Sequence, residues 1–148
     1  MSQLNNFCKS ALLATLMILG QTASAHTDEF LDTQTAPHGG QLRMAGPYHY
    51  ELVLKTNELT LYLTDHAGTK ISSTGASGTA VILSSKGKAS VLLSPAGDNI
   101  IRGSGQFEAV PDMKIAVSIA LPGQGAQQAR FAPLKKGLVP ANKLEKSK

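Results

Sequence analysis

The sequence has little cysteine, no tryptophan and few charged or aromatic side chains. Its 148 residues include one cysteine, and charged residues make up 16% and aromatic residues 5% of the chain. Charge this sparse excludes coiled coils and acidic disordered chains, which depend on many charged residues. Glycine, by contrast, occurs 14 times, and with abundant serine and threonine it favours short strands and turns over charged amphipathic helices. The length suits one domain with a modest core.

The chain also lacks a long apolar run near its start. Residues 11–20 are largely apolar, but a run of about ten residues is roughly half of what a membrane-spanning helix needs. A polar stretch with one basic residue, Lys9, precedes this run, and the small residues Ala23 and Ala25 follow it at cleavage-site positions. This order predicts a signal peptide over residues 1–25 and an exported, periplasmic protein without a stable membrane anchor. An uncleaved membrane anchor is the alternative.

Cleavage after Ala25 would remove the one cysteine, Cys8, and leave a chain that forms no disulfide. Cys8 precedes the apolar run, where a lipid-attachment cysteine would not lie. The mature chain then divides into a flexible acidic lead (26–37), a domain (38–133) and a basic, flexible tail (134–148). Because the positive charge lies mainly in the tail, and no stretch of the domain interleaves basic and aromatic residues, nucleic-acid binding is not expected.

The domain has strand patterns and no helical period. Strands are predicted at 48–55, 58–65, 79–84, 88–93, around 100–102, at 113–121 and at 127–131. The first two are separated by Thr56 and Asn57, a spacing that predicts a hairpin. About seven strands at this spacing predict an all-β fold, specifically a small antiparallel β-sandwich of the Ig-like or Greek-key type. A partly open β-barrel is the alternative architecture.

The four histidines all lie in one part of the chain, at positions 26, 38, 49 and 66. If Lys55 pairs with Glu58 across the predicted turn, His49 lies opposite Thr64 and meets His66 diagonally at the open end of the hairpin. The preceding segment brings His38 and Met44 to the same end. The clustering predicts a transition-metal site.

The predicted ligands are imidazoles, a thioether and carboxylates. They are His38, His49, His66, Met44 and Glu51, with His26 and Asp65 as weaker candidates. Imidazole with thioether favours copper, while zinc would be bound through the imidazoles together with Glu51 or Asp65. At the mature amino terminus, the amine and Nδ1 of His26 could together chelate Cu(II). The competing interpretations are surface histidines, a methionine that fills the core and, for Glu51, a solvated charge on a strand.

Catalytic motifs are missing. The mature chain would have no cysteine nucleophile, and the sequence contains no G-x-S-x-G motif and no convincing close pair of carboxylates. We therefore expect a protein that is not an enzyme. The alternative to metal binding is a non-catalytic interaction or structural module of the envelope, with incidental histidines. The tyrosines Tyr48, Tyr50 and Tyr62 are expected at sheet and core-edge positions, and a ligand-facing aromatic patch is the alternative.

Four short segments carry a family resemblance. They are HGG at 38–40, YHYEL at 48–52, LTLYLTD at 59–65 and PAGDN at 95–99. Over about residues 38–131, the chain resembles small periplasmic domains associated with heavy-metal efflux systems of the RND type. The resemblance implies a metal-handling β module for heavy-metal resistance that buffers or delivers copper, zinc or cobalt, with a periplasmic efflux adaptor as a partner. Because the long hairpin and lipoyl-like parts of an adaptor are missing, it implies a stand-alone accessory protein.

Overall fold

The computed structural model describes residues 28–135, which form one short helix and eight antiparallel strands. The helix α1 covers Asp28–Asp32, and the strands are β1 (Gln41–Ala45), β2 (Tyr48–Lys55), β3 (Glu58–Asp65), β4 (Ser77–Ser84), β5 (Gly87–Gly97), β6 (Ile100–Ser104), β7 (Lys114–Ala120) and β8 (Gln127–Phe131). Their order in the sheet is β1-β2-β3-β6-β5-β4-β7-β8, and the two edge strands, β1 and β8, lie next to each other. The predicted all-β class is confirmed, and the architecture is the nearly closed barrel.

The long strand β5 explains why the sheet curls instead of dividing into two sheets. Its first half pairs with β4, and its second half, from Ser94 to Gly97, pairs with β6 across a register irregularity between Pro95 and Gly97. A bulge bends a strand and increases its twist, so one strand serves both halves of the barrel. The sequence predicted a turn over residues 95–99, but the strand continues to Gly97 before turning at Asp98 and Asn99. The architecture is therefore the barrel, which the sequence pattern allowed as the alternative to a β-sandwich.

The core fills the inside of the barrel with aliphatic side chains from alternate positions. On β7 the buried residues are Ile115, Val117 and Ile119, flanked by Met113 and Leu121, as the strict alternation predicted. On β2 and β3 the buried apolar side chains are Tyr50, Leu52, Leu59, Leu61 and Leu63. The residues that alternate with these on β2 and β3 consequently face outward. They include the predicted ligands His49 and Glu51.

Strand β1 was not predicted, because its inward-facing side chains are polar. Gln41 and Arg43 are buried where β1 meets β8. The Gln41 Oε1 atom accepts a hydrogen bond from the Ala132 amide at 2.8 Å, and Arg43 Nε donates to the Arg130 carbonyl at 3.2 Å. Side chains of β1 thus satisfy backbone groups in and just after β8. At this seam the two edge strands, β1 and β8, do not pair through backbone hydrogen bonds.

Helix α1 covers the same seam. Asp32 Oδ1 accepts hydrogen bonds from Arg43 Nη1 at 2.6 Å and from Gln41 Nε2 at 3.3 Å, and Leu31 is buried. From Asp28 onward, the segment predicted as a flexible acidic lead is therefore folded onto the barrel, because its acidic side chain neutralises a buried arginine. The predicted signal peptide, His26 and most of the predicted basic tail lie outside the described residues. Within residues 28–135, no helix is long and apolar enough to cross a membrane.

Two tight turns fix the register of the first three strands. Gly46 and Pro47 join β1 to β2, and Gly46 has φ of +60°. Thr56 and Asn57 join β2 to β3, with Asn57 at φ 58°. Glycine and asparagine tolerate this left-handed conformation better than other residues. The resulting β2–β3 register pairs Lys55 with Glu58, as predicted.

The seam makes a test of barrel closure. Replacing Arg43, whose side chain is 8% exposed, by methionine removes the donor to the Arg130 carbonyl and the charged donor to Asp32, and we expect unfolding free energy to fall by about 2–3 kcal/mol. The matched control is Arg102→Met. Arg102 is 44% exposed, donates a hydrogen bond to Thr60 Oγ1 and forms an ion pair with Glu58 at 3.7 Å, so its replacement should cost less than about 1 kcal/mol. Urea unfolding measures both; equal losses would contradict the role of the seam.

Candidate metal centre

Three of the candidate ligands, Met44, His49 and Glu51, lie on the outer face of β1 and β2. His49 and Glu51 are two residues apart on β2, so their side chains leave the same side of the sheet. Across β3 their partners are Thr64 and Tyr62, respectively. His66 directly follows β3 and is the first residue of the turn after that strand. The hairpin therefore brings both of its histidines to its open end.

His49 and His66 contact each other through their rings. The ring centroids are 4.8 Å apart and the ring planes are tilted by 43°. Two imidazoles this close can each offer a nitrogen to one ion, to which bonds of about 2.0–2.1 Å are usual for zinc. His66 is exposed and His49 is half-buried, so the pair lies at the edge of the barrel and not in its core. The predicted meeting of these two residues is confirmed.

Met44 is the direct cross-strand partner of His49 in the β1–β2 register. The two-residue Gly46–Pro47 turn, with Gly46 at φ +60°, sets this pairing. Met44 is half-buried, on the face of β1 opposite to Gln41 and Arg43. Directly opposed residues have Cβ atoms about 4.5–5.5 Å apart, so the side chains of Met44 and His49 start as neighbours on the outer face.

Glu51 is a buried carboxylate, and both of its oxygens contact the 38–40 loop. It is 3% exposed. Its Oε1 atom accepts hydrogen bonds from the backbone amides of His38 at 2.7 Å and of Gly40 at 3.0 Å, while Oε2 lies 2.7 Å from His38 Nδ1. Both oxygens thus hold the 38–40 loop against the sheet, which accounts for burial of the carboxylate.

His38 is positioned by this carboxylate and by an aromatic ring. Its imidazole stacks on Tyr62 with centroids 3.5 Å apart and planes within 2°. The two glycines after it allow this arrangement: Gly39 has φ of +74°, and a side chain at Gly40 would collide with the Leu52 carbonyl oxygen. The HGG segment therefore forms a tight loop, and His38 contacts Glu51 and Tyr62 while His49 contacts His66.

Asp65 has a local structural role next to His66. Its Oδ1 atom accepts hydrogen bonds from the backbone amides of Thr69 and Ala67, both at 2.8 Å. These bonds, that of Thr69 above all, stabilise the ionised form and lower the pKa of the Asp65 carboxyl below its ordinary value of 3.8. The carboxylate closes the turn that follows β3 and so orients the backbone at His66.

The three tyrosines of the hairpin have separate environments. Tyr48 donates a hydrogen bond to Gln124 Oε1 at 2.6 Å, and Tyr62 lies beneath the His38 ring. Tyr50 points into the core, where burial raises the pKa of its hydroxyl far above the ordinary value. Among residues 28–135, the Tyr50 hydroxyl has no hydrogen-bond partner. The sheet and core-edge positions predicted for these residues agree with this placement.

The structure thus divides the predicted ligands into two groups. His49, His66 and Met44 form one corner, and His38 with Glu51 and Tyr62 forms a second cluster; Asp65 is tied to its own turn. Throughout the described range 28–135, no group of three or more His, Cys, Asp or Glu side chains is close enough to hold a metal ion. His26 lies outside that range. Comparisons of the chain with protein family models, curated proteins and solved structures gave no match.

Substituting Glu51 distinguishes a loop anchor from a metal ligand. Glu51→Gln removes the negative charge of the carboxylate that accepts hydrogen bonds from the amides of His38 and Gly40. We expect the unfolding free energy to fall by about 1–3 kcal/mol. We expect copper affinity to stay within about twofold of that of the native protein, because both oxygens of this carboxylate are engaged by the 38–40 loop. Chemical unfolding and a copper titration of the same sample measure the two quantities. A loss of affinity of about tenfold or more would make Glu51 part of the metal site.

Proposed function

We propose that the protein binds a transition-metal ion, with copper favoured and zinc or cobalt as alternatives, at the corner formed by His49, His66 and Met44. The observation that carries the proposal is the contact between the two imidazoles, whose ring centroids are 4.8 Å apart. Met44 lies directly opposite His49 in the β1–β2 register. Neutral imidazole and thioether donors suit copper better than they suit calcium or magnesium, which prefer oxygen.

The position of the corner supports carriage over structural use of the ion. Structural metal sites are closed by a full set of protein ligands, whereas this corner lies at the edge of the sheet and includes an exposed histidine. An ion held there stays accessible to a second protein. The proposed role is therefore buffering or delivery of the ion, without catalysis.

The cellular setting is part of the same proposal. An exported chain, processed after Ala25, would carry the ion in the periplasm and pass it to an efflux or resistance system. The support comes from the order of residues 1–25 and from the resemblance over residues 38–131 to modules of heavy-metal efflux. Glu51 lies two residues after His49 on β2 and holds the imidazole of His38 next to the proposed site.

Histidine variants test the site directly. We expect His49→Ala and His66→Ala each to weaken copper binding by about tenfold or more, because each removes one of two imidazole donors. His38→Ala is the matched control, since it removes a histidine from the same face whose ring contacts Tyr62 and Glu51. The measurement is competition against a chromophoric copper chelator, with mature protein starting at His26.

Thermal unfolding separates this proposal from the interaction-module alternative. A ligand that binds the folded state raises the melting temperature by mass action. We therefore expect copper to raise the melting temperatures of the native protein and of the His38→Ala variant. Unchanged copper affinity in His49→Ala would disprove the proposed corner. If neither copper nor zinc or cobalt shifts the melting temperature, the histidines are incidental, and a non-catalytic envelope module is the better interpretation.

A further inference from the structure

We infer that the protein binds reversibly to the surface of an anionic phospholipid membrane through the outer face of β5, β4, β7 and β8. These four strands are consecutive in the sheet and form one half of the barrel. None of them contains an aspartate or a glutamate. Their outer surface, which we name the basic face, is defined by three cations and two exposed leucines: Lys88, Lys114, Arg130, Leu83 and Leu92.

The register of the strands places a leucine between two lysines. Leu83 on β4 lies opposite Lys88 on β5 and opposite Lys114 on β7. Its neighbour Ile82 is buried, so Leu83 points outward, and 50% of its surface is exposed. Directly opposed residues have Cβ atoms about 4.5–5.5 Å apart. An exposed apolar side chain therefore has a positive charge on each side.

Two further rows of outward side chains extend the basic face. In the next row along the strands, Val81 is opposite Ala116, and Ala116 is opposite Arg130. In the row after that, Leu92 is opposite Thr79. Leu92 is 78% exposed, more than any other large hydrophobic residue between positions 28 and 135. Because the rows are about 7 Å apart, the cations and leucines belong to one continuous surface.

The three cations of the basic face are not neutralised by carboxylates. Between residues 28 and 135, the side chains that form ion pairs with acidic residues are His38, Arg43, Lys70, Lys86 and Arg102. Lys88, Lys114 and Arg130 take part in none of these pairs. Their charge is therefore directed toward solvent, where it attracts an anionic surface.

An anionic membrane fits this combination of charge and exposed leucine better than a folded partner does. At a membrane surface, leucine enters the boundary between headgroups and acyl chains, while lysine and arginine are attracted to anionic headgroups. A fluid bilayer accommodates a convex face without a matching pocket, whereas a folded partner needs shape complementarity. The sequence after β8 adds positive charge beyond the same strand, because residues 134–148 contain five lysines and one glutamate.

The strand order determines which part of the barrel faces away from the membrane. In the order β1-β2-β3-β6-β5-β4-β7-β8, β4 and β7 lie four places from β2 and β3, which is half of the eight-stranded circumference. The acidic residues of the strands, Glu51, Glu58 and Asp65, are all on β2 and β3. Binding through the basic face would thus leave the β2–β3 hairpin accessible and keep its carboxylates away from anionic lipid.

Vesicle co-sedimentation tests the inference. The chain starting at His26 is mixed at low salt with vesicles of phosphatidylcholine alone, or of two parts phosphatidylcholine to one part phosphatidylglycerol. We expect binding to the anionic vesicles to be at least about 20-fold tighter, and to weaken as salt is added. Lys88→Gln/Lys114→Gln should weaken this binding about 20-fold, since each basic residue near an anionic surface changes affinity about fivefold. Leu92→Ser should weaken it about tenfold.

Lys55→Gln/Lys70→Gln is the matched control, because it removes the same charge from the hairpin side of the barrel, where Lys55 ends β2 and Lys70 pairs with Thr64. Its affinity should fall by less than about threefold. Urea unfolding checks that every variant is folded. Equal losses in the two lysine pairs, full affinity in Leu92→Ser, or no preference for anionic vesicles would overturn the inference. Binding to polyglutamate as tight as to the anionic vesicles would identify an acidic protein as the partner and would also overturn it.

Discussion

The register of the β1–β2–β3 meander is the constraint on which the rest of the candidate site depends. Side chains alternate between the two faces of a strand, so a slip of one residue would turn His49 into the core and Tyr50 toward solvent. Two short turns prevent this: Gly46–Pro47 sets Met44 against His49, and Thr56–Asn57 sets His49 against Thr64. The packed interior of the barrel reinforces the same register, because shifting it would expose Tyr50, Leu52 and their neighbours on β3.

Much of this register could be predicted from sequence, because its causes are local. Hydrophobic alternation and a two-residue spacer rich in turn signals were sufficient to place His49 opposite Thr64 and next to His66. Strand β1 could not be predicted in the same way. Its inward side chains, Gln41 and Arg43, are polar, and they are satisfied by Asp32 and by the β8 backbone, about 90 residues away along the chain. A pattern that depends on distant partners leaves no local periodicity to recognise.

The two carboxylates illustrate a second reason why residue type alone does not define a site. Glu51 and Asp65 were plausible ligands by chemistry and spacing. Both, however, accept hydrogen bonds from backbone amides of the loops beside them. In a barrel without disulfides among its described residues, such bonds fix loops at the open end. The same bonds give both carboxylates a structural role that their residue type and spacing do not reveal.

The most direct measurement of the central claim is nuclear magnetic resonance of the mature protein before and after addition of one equivalent of Cu(I) under anaerobic conditions. The account predicts that the imidazole nitrogens of His49 and His66 and the methyl group of Met44 shift together. The ring signals of His38, stacked on Tyr62 and held by Glu51, should stay in place. Shifts confined to His38 and Glu51, or none at His49, His66 and Met44, would contradict it.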